Sequence, residues 1–265
     1  MEPIDIVGFA ALLVSIFFFS LSSIFDLRTR EVDDRVWLVY GPIGLALTIM
    51  QLIMNPSAVL LTVVSISLTT LFSFGLFYFG LFGGADMWAI ICLGLTMPLI
   101  PTSVHPLLGY VHPFFPVVVL ITGFLCSASL AVWFGLRNIF TYLTRGKHMF
   151  EGLESEVWSK KAFALILGYL TDLSKLRATF YLYPMEEVVM NGDRPRRTLK
   201  LYQNAETDRE PLVTKLVDSL TELGFKGKVW VTPGLPMLLF ILTGLIITLT
   251  LGDIVFSTVF ILASR

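Results

Sequence analysis

The sequence predicts an α-helical polytopic membrane protein, with six transmembrane helices and a small α+β cytoplasmic domain inserted between helices 5 and 6. Three observations predict it. Apolar residues fill 55% of the 265 positions, 22 of them phenylalanine, and the mean hydropathy is +0.78, far above a soluble globular norm. Apolar runs long enough to cross a bilayer recur along the chain. The charged residues, 15% of the total, gather in a few segments.

The runs lie at roughly Ile4–Phe25, Val36–Met54, Ala58–Leu81, Met87–Ile100, Pro113–Leu136 and Gly234–Phe260. The first follows Met1-Glu2-Pro3-Ile4-Asp5, which lacks the basic start of a secretory signal, so it is expected to stay as the first helix. The fourth is interrupted by Pro98 and Pro101, and proline near a spanning helix end is tolerated. The chain therefore divides into a membrane core at 1–136 with helices 1 to 5, a cytoplasmic insert at 137–230, and helix 6 with the C-terminus at 231–265.

Lysine and arginine set the orientation. Arg28, Arg30 and Arg35 lie between the first two runs, and fifteen more fall between Arg137 and Lys228. None lies in 55–57 or 101–112. The basic connections are the first and fifth, which share a side in a serpentine chain. The N-terminus is expected outside a plasma membrane, with the basic segments in the cytoplasm. Within the insert, Lys161–Leu176 has a helical pattern, while 179–183, 197–202 and 228–232 read as strands. Asn191-Gly192-Asp193 and Gly224 are turn signals.

Two carboxylates stand out against this background. Asp26 closes the first apolar run and Asp86 opens the fourth, directly after Gly83, Gly84 and Ala85. Ionisable groups in or at the edge of a span are costly and are functional candidates. The threading puts both at the cytoplasmic face. Two neighbouring carboxyls resist joint ionisation, so one proton is shared and a water can be activated between them. The glycines let the backbone unwind and another chain approach, although small residues also serve plain helix packing.

Other chemistries find less support. His105, His112 and His148 show no zinc-ligand spacing, no serine sits in Gly-x-Ser-x-Gly, and there is neither a Walker pattern nor GxGxxG. Cys92 and Cys126 read as packed thiols. The net charge of −1 gives no sign of a nucleic-acid partner, and no metal or cofactor is implied. Asp253, near the outer end of the last run and on the wrong face for the pair, is expected to have a structural or interfacial role. Arg28 and Arg30 read as interfacial arginines reaching for headgroups.

The block Asp26-Leu-Arg-Thr-Arg-Glu-Val-Asp-Asp34, Gly83-Gly-Ala-Asp86, Arg137-Asn138, Val229-Trp-Val-Thr-Pro-Gly-Leu-Pro236 and Gly252-Asp253 together resemble the archaeal preflagellin and prepilin peptidases, GxGD-type intramembrane aspartyl proteases. The resemblance implies a six-helix bundle with a cytoplasmic domain. It implies that Asp26 and Asp86 are catalytic and cut a short basic leader from archaellin or pilin precursors. Ala85 stands where the family pattern has its second glycine. No methyltransferase activity is expected, since the cysteine-bearing segment of the bacterial enzymes has no counterpart here. Glu31, Asp33 and Asp34 are candidates for holding the leader's cations, or are neutralised locally by Arg28, Arg30 and Arg35. Pro233, Gly234, Leu235 and Pro236 match the place of the Pro-Ala-Leu turn of presenilin-like proteases, or simply start the last helix. Two other classes compete: an ion- or proton-coupled transporter using Asp26 and Asp86, and a membrane scaffold. Transport favours polar groups near mid-membrane and internal repeats, whereas these two carboxyls lie near one face and no repeat is visible. A scaffold gives two carboxylates no reason to converge.

Overall fold

A computed structural model describes residues 3–145, 149–191, 194–201, 207–225 and 227–264. The chain forms two compact units, one of Met1–Ser127 with Pro236–Arg265 and one of Ala128–Leu235.

The first unit is helical. It holds α1 (Pro3–Thr29), α2 (Arg35–Met54), α3 (Val59–Tyr78), α4 (Gly84–Thr96), the first half of α5 (Phe115–Arg145), α9 (Met237–Thr250) and α10 (Ile254–Ala263). Among the described residues, four helices are long and apolar enough to cross a bilayer: Pro3–Thr29, Arg35–Met54, Pro56–Tyr78 and Phe115–Thr144. The pair α9 and α10 makes a fifth candidate if it counts as one span. Two of the six expected runs differ from unbroken spanning helices. The run Met87–Ile100 is a helix of only 13 residues, Gly84–Thr96, about 20 Å long against ~30 Å of hydrocarbon. Pro98 limits how far it extends, because the residues before a proline avoid helical geometry. The run Gly234–Phe260 bends by 54° between α9 and α10. Gly252 sits there at φ +101°, and a Cβ on it would lie 2.7 Å from the Tyr110 carbonyl oxygen.

Hydroxyls bind these helices to one another where hydrocarbon offers no water. Thr48 donates to the Leu95 carbonyl (2.7 Å), Ser65 to Pro98 (2.6 Å) and Ser73 to Met87 (3.0 Å). The Tyr40 hydroxyl meets Ser15 at 3.0 Å. The Ser65 and Ser73 contacts fix register: α3 runs antiparallel to α4. At Gly244 a Cβ would come 2.5 Å from the Val119 carbonyl oxygen, so only hydrogen there lets α9 lie against α5. Phe18, Phe19, Tyr40, Phe82, Ile90, Leu93, Leu238 and Ile241 fill the shared core.

The second unit combines α6 (Trp158–Leu167), α7 (Leu173–Ala178) and α8 (Arg209–Glu222) with five strands. Strands β1 (Tyr169–Asp172) and β2 (Leu182–Pro184) flank β5 (Lys228–Pro233) antiparallel, with Tyr169 opposite Val231 and Leu182 opposite Pro233. A separate hairpin pairs β3 (Glu186–Asn191) with β4 (Arg194–Leu199). Helix α8 packs Val213, Leu216, Val217 and Leu220 on Leu182, Val229 and Val231. The expected helix Lys161–Leu176 divides at Gly168 into α6, β1 and α7. A Cβ at Gly168 would strike Met185 and the Val231 carbonyl, so that position belongs to a sheet contact. The strand expected at 179–183 begins only at Leu182, and the one expected at 197–202 runs earlier, over Arg194–Leu199. Gly192, Asp193 and Tyr202 lie outside the described residues. Gly224 does turn the chain, at φ +66°.

One buried ion pair joins β3 to β4. Glu186, with no exposed side-chain surface, receives Arg197 Nη2 at 2.7 Å and Nε at 2.9 Å, and the Trp230 amide at 2.7 Å. Burial pushes the Glu186 carboxyl above its usual range, and Arg197 and the Trp230 amide pull it back.

Candidate active site

Asp26 lies in the last turns of α1 and is only 9% exposed. The helix ends just after it because Arg30 adopts φ +61°, a conformation uncommon and mildly strained for a residue with a side chain. The Arg30 amide still closes onto the Asp26 carbonyl at 3.2 Å, and its guanidinium folds back to 3.7 Å from Asp26 Oδ1. Arg30 thus turns inward to the carboxylate rather than outward to headgroups. The backbone amide of Leu238, in the first turn of α9, lies close to the same carboxylate. Amides of a first helical turn have no partner within the helix and favour anions. Asp26 Oδ2 and the hydroxyl of Ser23 are buried without a hydrogen-bond partner among the described residues. Buried polar atoms of that kind call for an explanation.

Asp86 occupies the first turn of α4, half-buried, and accepts the Gly83 amide at 3.3 Å. Gly83 is the N-cap in extended geometry (ψ 163°), and Gly84 and Ala85 begin the helix. Ala85 is partly buried against the shared core, which includes Phe82, so its methyl is accommodated there. Before it, Gly80 turns the chain out of α3 at φ +69°.

The register of the helices brings the two aspartates to one end of the first unit. Helix α1 packs on both α9 and α4, and α4 packs on α9. The C-terminal end of α1 meets the N-terminal end of α9 through Asp26 and Leu238. Helix α2 begins only six residues after the close of α1 and runs beside α4 in the same direction, with Trp37 against Cys92 and Thr48 against Thr96, so the start of α4 lies at the same end as the close of α1. The opposite end carries the 97–114 connection: Thr102 bonds Asp5 at 3.0 Å, and the Leu107 amide bonds the Thr250 carbonyl at 2.9 Å. His105 and His112 are in that connection, and His148 lies outside the described residues.

The other candidates distribute as follows. Glu31, Asp33 and Asp34 are exposed. Asp33 accepts the Arg35 amide at 2.8 Å and its guanidinium lies 3.9 Å away, whereas Glu31 and Asp34 form no ion pair among the described residues. Pro233 ends β5, and the Gly234 amide bonds the Tyr181 carbonyl at 2.7 Å. Pro233, Gly234 and Leu235 belong to the second unit and Pro236 to the first, where it caps α9. Asp253 caps α10, accepting the Phe256 amide at 2.9 Å, while its own amide donates to Tyr110 at 2.9 Å. Asn138 is buried and ties α5 to the end of α6 through the Leu165 and Gly168 carbonyls (2.7 and 2.6 Å). Sequence reasoning missed Ser23 and the Leu238 amide near Asp26, and misassigned Arg30. The four-residue spacing of Asp26 and Arg30 on a helix was the available signal for that pair.

Residues 12–142 match the model of the type IV leader peptidase family, and residues 160–254 match the archaeal peptidase A24 C-terminus type II. Among curated proteins, the chain is 25% identical over 239 residues to the preflagellin peptidase of Methanocaldococcus jannaschii, covering 88% of this chain and 90% of that one. It is 23% identical over 247 residues to the preflagellin peptidase of Methanococcus voltae, covering 90% and 94%. The preflagellin peptidase of Methanococcus maripaludis is 22% identical over 241 residues, covering 88% and 91%.

Proposed function

The chain belongs to the type IV leader peptidase family, and from that premise we propose that it is a multi-pass membrane aspartyl endopeptidase that removes the leader of preflagellin-type precursors. Asp26 and Asp86 are its catalytic pair. The observation that carries this assignment is their placement at one end of a helical unit, on the close of α1 and the first turn of α4. Gly83, Gly84 and Ala85 shape the backbone that presents Asp86. Arg30 and the Leu238 amide orient the Asp26 carboxylate.

Peptide hydrolysis by such a pair needs one ionised and one protonated carboxyl. The ionised group takes a proton from water as its oxygen attacks the scissile carbonyl carbon. The protonated group donates to the carbonyl oxygen, giving a neutral tetrahedral diol. Collapse of the diol breaks the C–N bond, with the amide nitrogen protonated as it leaves, and returns one proton to the pair. No covalent enzyme intermediate forms.

In this reading six segments cross the plasma membrane, with α4 short and the last span broken. The N-terminus lies outside, and the 137–230 insert and both aspartates lie at the cytoplasmic face. The distribution of lysine and arginine supports that orientation. The leader's cations would meet Glu31 and Asp34, which carry no ion pair among the described residues, with Asp33 shared with Arg35. Pro233 to Pro236 would lie along the substrate.

The test is cleavage of an archaellin precursor by the purified chain in lipid vesicles, with the new N-terminus read by mass. The expected product begins directly after the basic leader. A triple variant, Glu31→Gln with Asp33→Asn and Asp34→Asn, is expected to raise KM for the basic leader several-fold, less so at high salt, and to leave a charge-neutralised leader nearly unchanged. Equal losses on both leaders would assign the cluster to the fold instead. An intact precursor with well-folded wild-type protein would remove the proposed activity.

A further inference from the structure

Helix α6 is turned the wrong way for a water-facing helix. Its two cations point to the protein: Lys160 Nζ donates to the Leu199 carbonyl at 3.0 Å and pairs with Glu156 at 3.2 Å. Lys161 Nζ donates to the Glu154 carbonyl at 2.8 Å and lies over the Phe150 ring. Ala164 is buried on that side. The opposite side presents Trp158, Phe163 and Ile166, which are 66, 54 and 44% exposed. A soluble surface helix does the reverse, and contiguous apolar patches mark contact surfaces.

The exposed face is continuous with α5. Gly135, Ile139 and Tyr142 line one apolar groove together with Trp158, Ala162 and Ile166. Along α5, Val132, Leu136, Ile139 and Leu143 are all exposed, and their spacing puts them on one stripe. Helix α5 is itself long and apolar enough to cross a bilayer. Gly135 lies about 30 Å along the helix from Phe115, which is ~ the full hydrocarbon thickness. The turns that carry the groove therefore fall at headgroup level, where tryptophan is the favoured side chain.

We propose that α6 is an interfacial helix, lying in the membrane surface with Trp158, Phe163 and Ile166 set into the boundary between phospholipid headgroups and acyl chains. The occupant of this face is lipid of the same bilayer that α5 crosses, and the inference rests on α5 being a span. It requires neither aspartate to be catalytic.

The test uses the full chain in phosphatidylcholine–phosphatidylglycerol vesicles, in a Cys92→Ala and Cys126→Ala background. An environment-sensitive fluorophore is attached at Phe163→Cys, at Ile166→Cys, at Lys215→Cys on the exposed side of α8, or at Leu125→Cys on α5. Lipids spin-labelled near the headgroup should quench the labels at 163 and 166 several-fold more than the label at 215, and aqueous iodide should do the opposite. Quenching at 125 by deep spin labels, with 163 and 166 behaving like 215, would overturn the inference while leaving α5 in the membrane. No lipid quenching at 125 would remove α5 as a span and the inference with it. Shielding of 163 and 166 from both quenchers would show a protein cover, a partner or second copy, and would also overturn it.

Discussion

Asp26→Asn and Asp86→Asn are each expected to abolish leader cleavage, with kcat/KM falling by about 10⁴-fold or more, as for residues that act as one catalytic unit. The amide preserves shape at both positions, so insertion and folding should be unchanged. What is lost is the exchangeable proton: an amide neither accepts one from water nor donates one to the scissile carbonyl oxygen at a useful rate. In the proposed mechanism the two act as one unit, so the double variant should be no worse than either single one. Asp253→Asn is the control. Its carboxylate caps α10 at the opposite end of the unit, and asparagine caps a helix about as well as aspartate, so most activity should survive. Near-normal turnover in either the Asp26 or the Asp86 variant would dismiss the two-carboxylate mechanism. A dead but folded Asp253 variant would move the site.

The largest stability effect is expected at Glu186. Glu186→Ala leaves the Arg197 guanidinium, whose side chain is 9% exposed, with only the Glu151 and Lys228 carbonyls and no counter-charge, and takes from the Trp230 amide its carboxylate acceptor. Breaking a buried pair on one side typically costs about 3–5 kcal/mol, a large part of the total stability of a small domain. Limited proteolysis of the full chain in vesicles should show cleavage within 128–235 at a temperature where the wild-type unit resists. Glu186→Met combined with Arg197→Met should recover part of the loss, since no charge is then stranded. Wild-type resistance in Glu186→Ala would mean that the pair contributes little.

The two candidate aspartates were easier to single out in the sequence than the bounds of the helices that carry them. An aspartate at the end of an apolar run is conspicuous because the run gives it no other purpose, and Asp26 and Asp86 stand out for that reason. The end of α4 was half legible: Pro98 is visible in the sequence, but whether the helix would stop at Thr96 or continue as a kinked span depends on packing against Thr48 and Ser65. The break at Gly252 and Asp253 could have been read from a glycine followed by an N-cap residue. Uniform hydrophobicity on both sides hid it. In the insert, hydrophobic spacing fits a helix through Lys161–Leu176, yet Gly168 and the pairing of Tyr169 with Val231 make a strand in its middle. That pairing spans some sixty residues of sequence, and local pattern does not encode it. Strand β3 was missed for a similar reason. Its Glu186 and Glu187 look like surface residues until Arg197 and Trp230 enclose the first of them. The Leu238 amide, being backbone, leaves no residue-type signature at all.

The central claim is that Asp26 and Asp86 divide one catalytic task, one as acid and one as base. The pH dependence of kcat/KM for precursor cleavage in vesicles measures that division directly. The account predicts a bell: activity falls on the acid side when both carboxyls are protonated and on the basic side when both are ionised. Full activity should return when the enzyme is brought back to the optimum. A profile with one limb, or one that is flat across the range where the protein stays folded, would contradict a shared-proton pair.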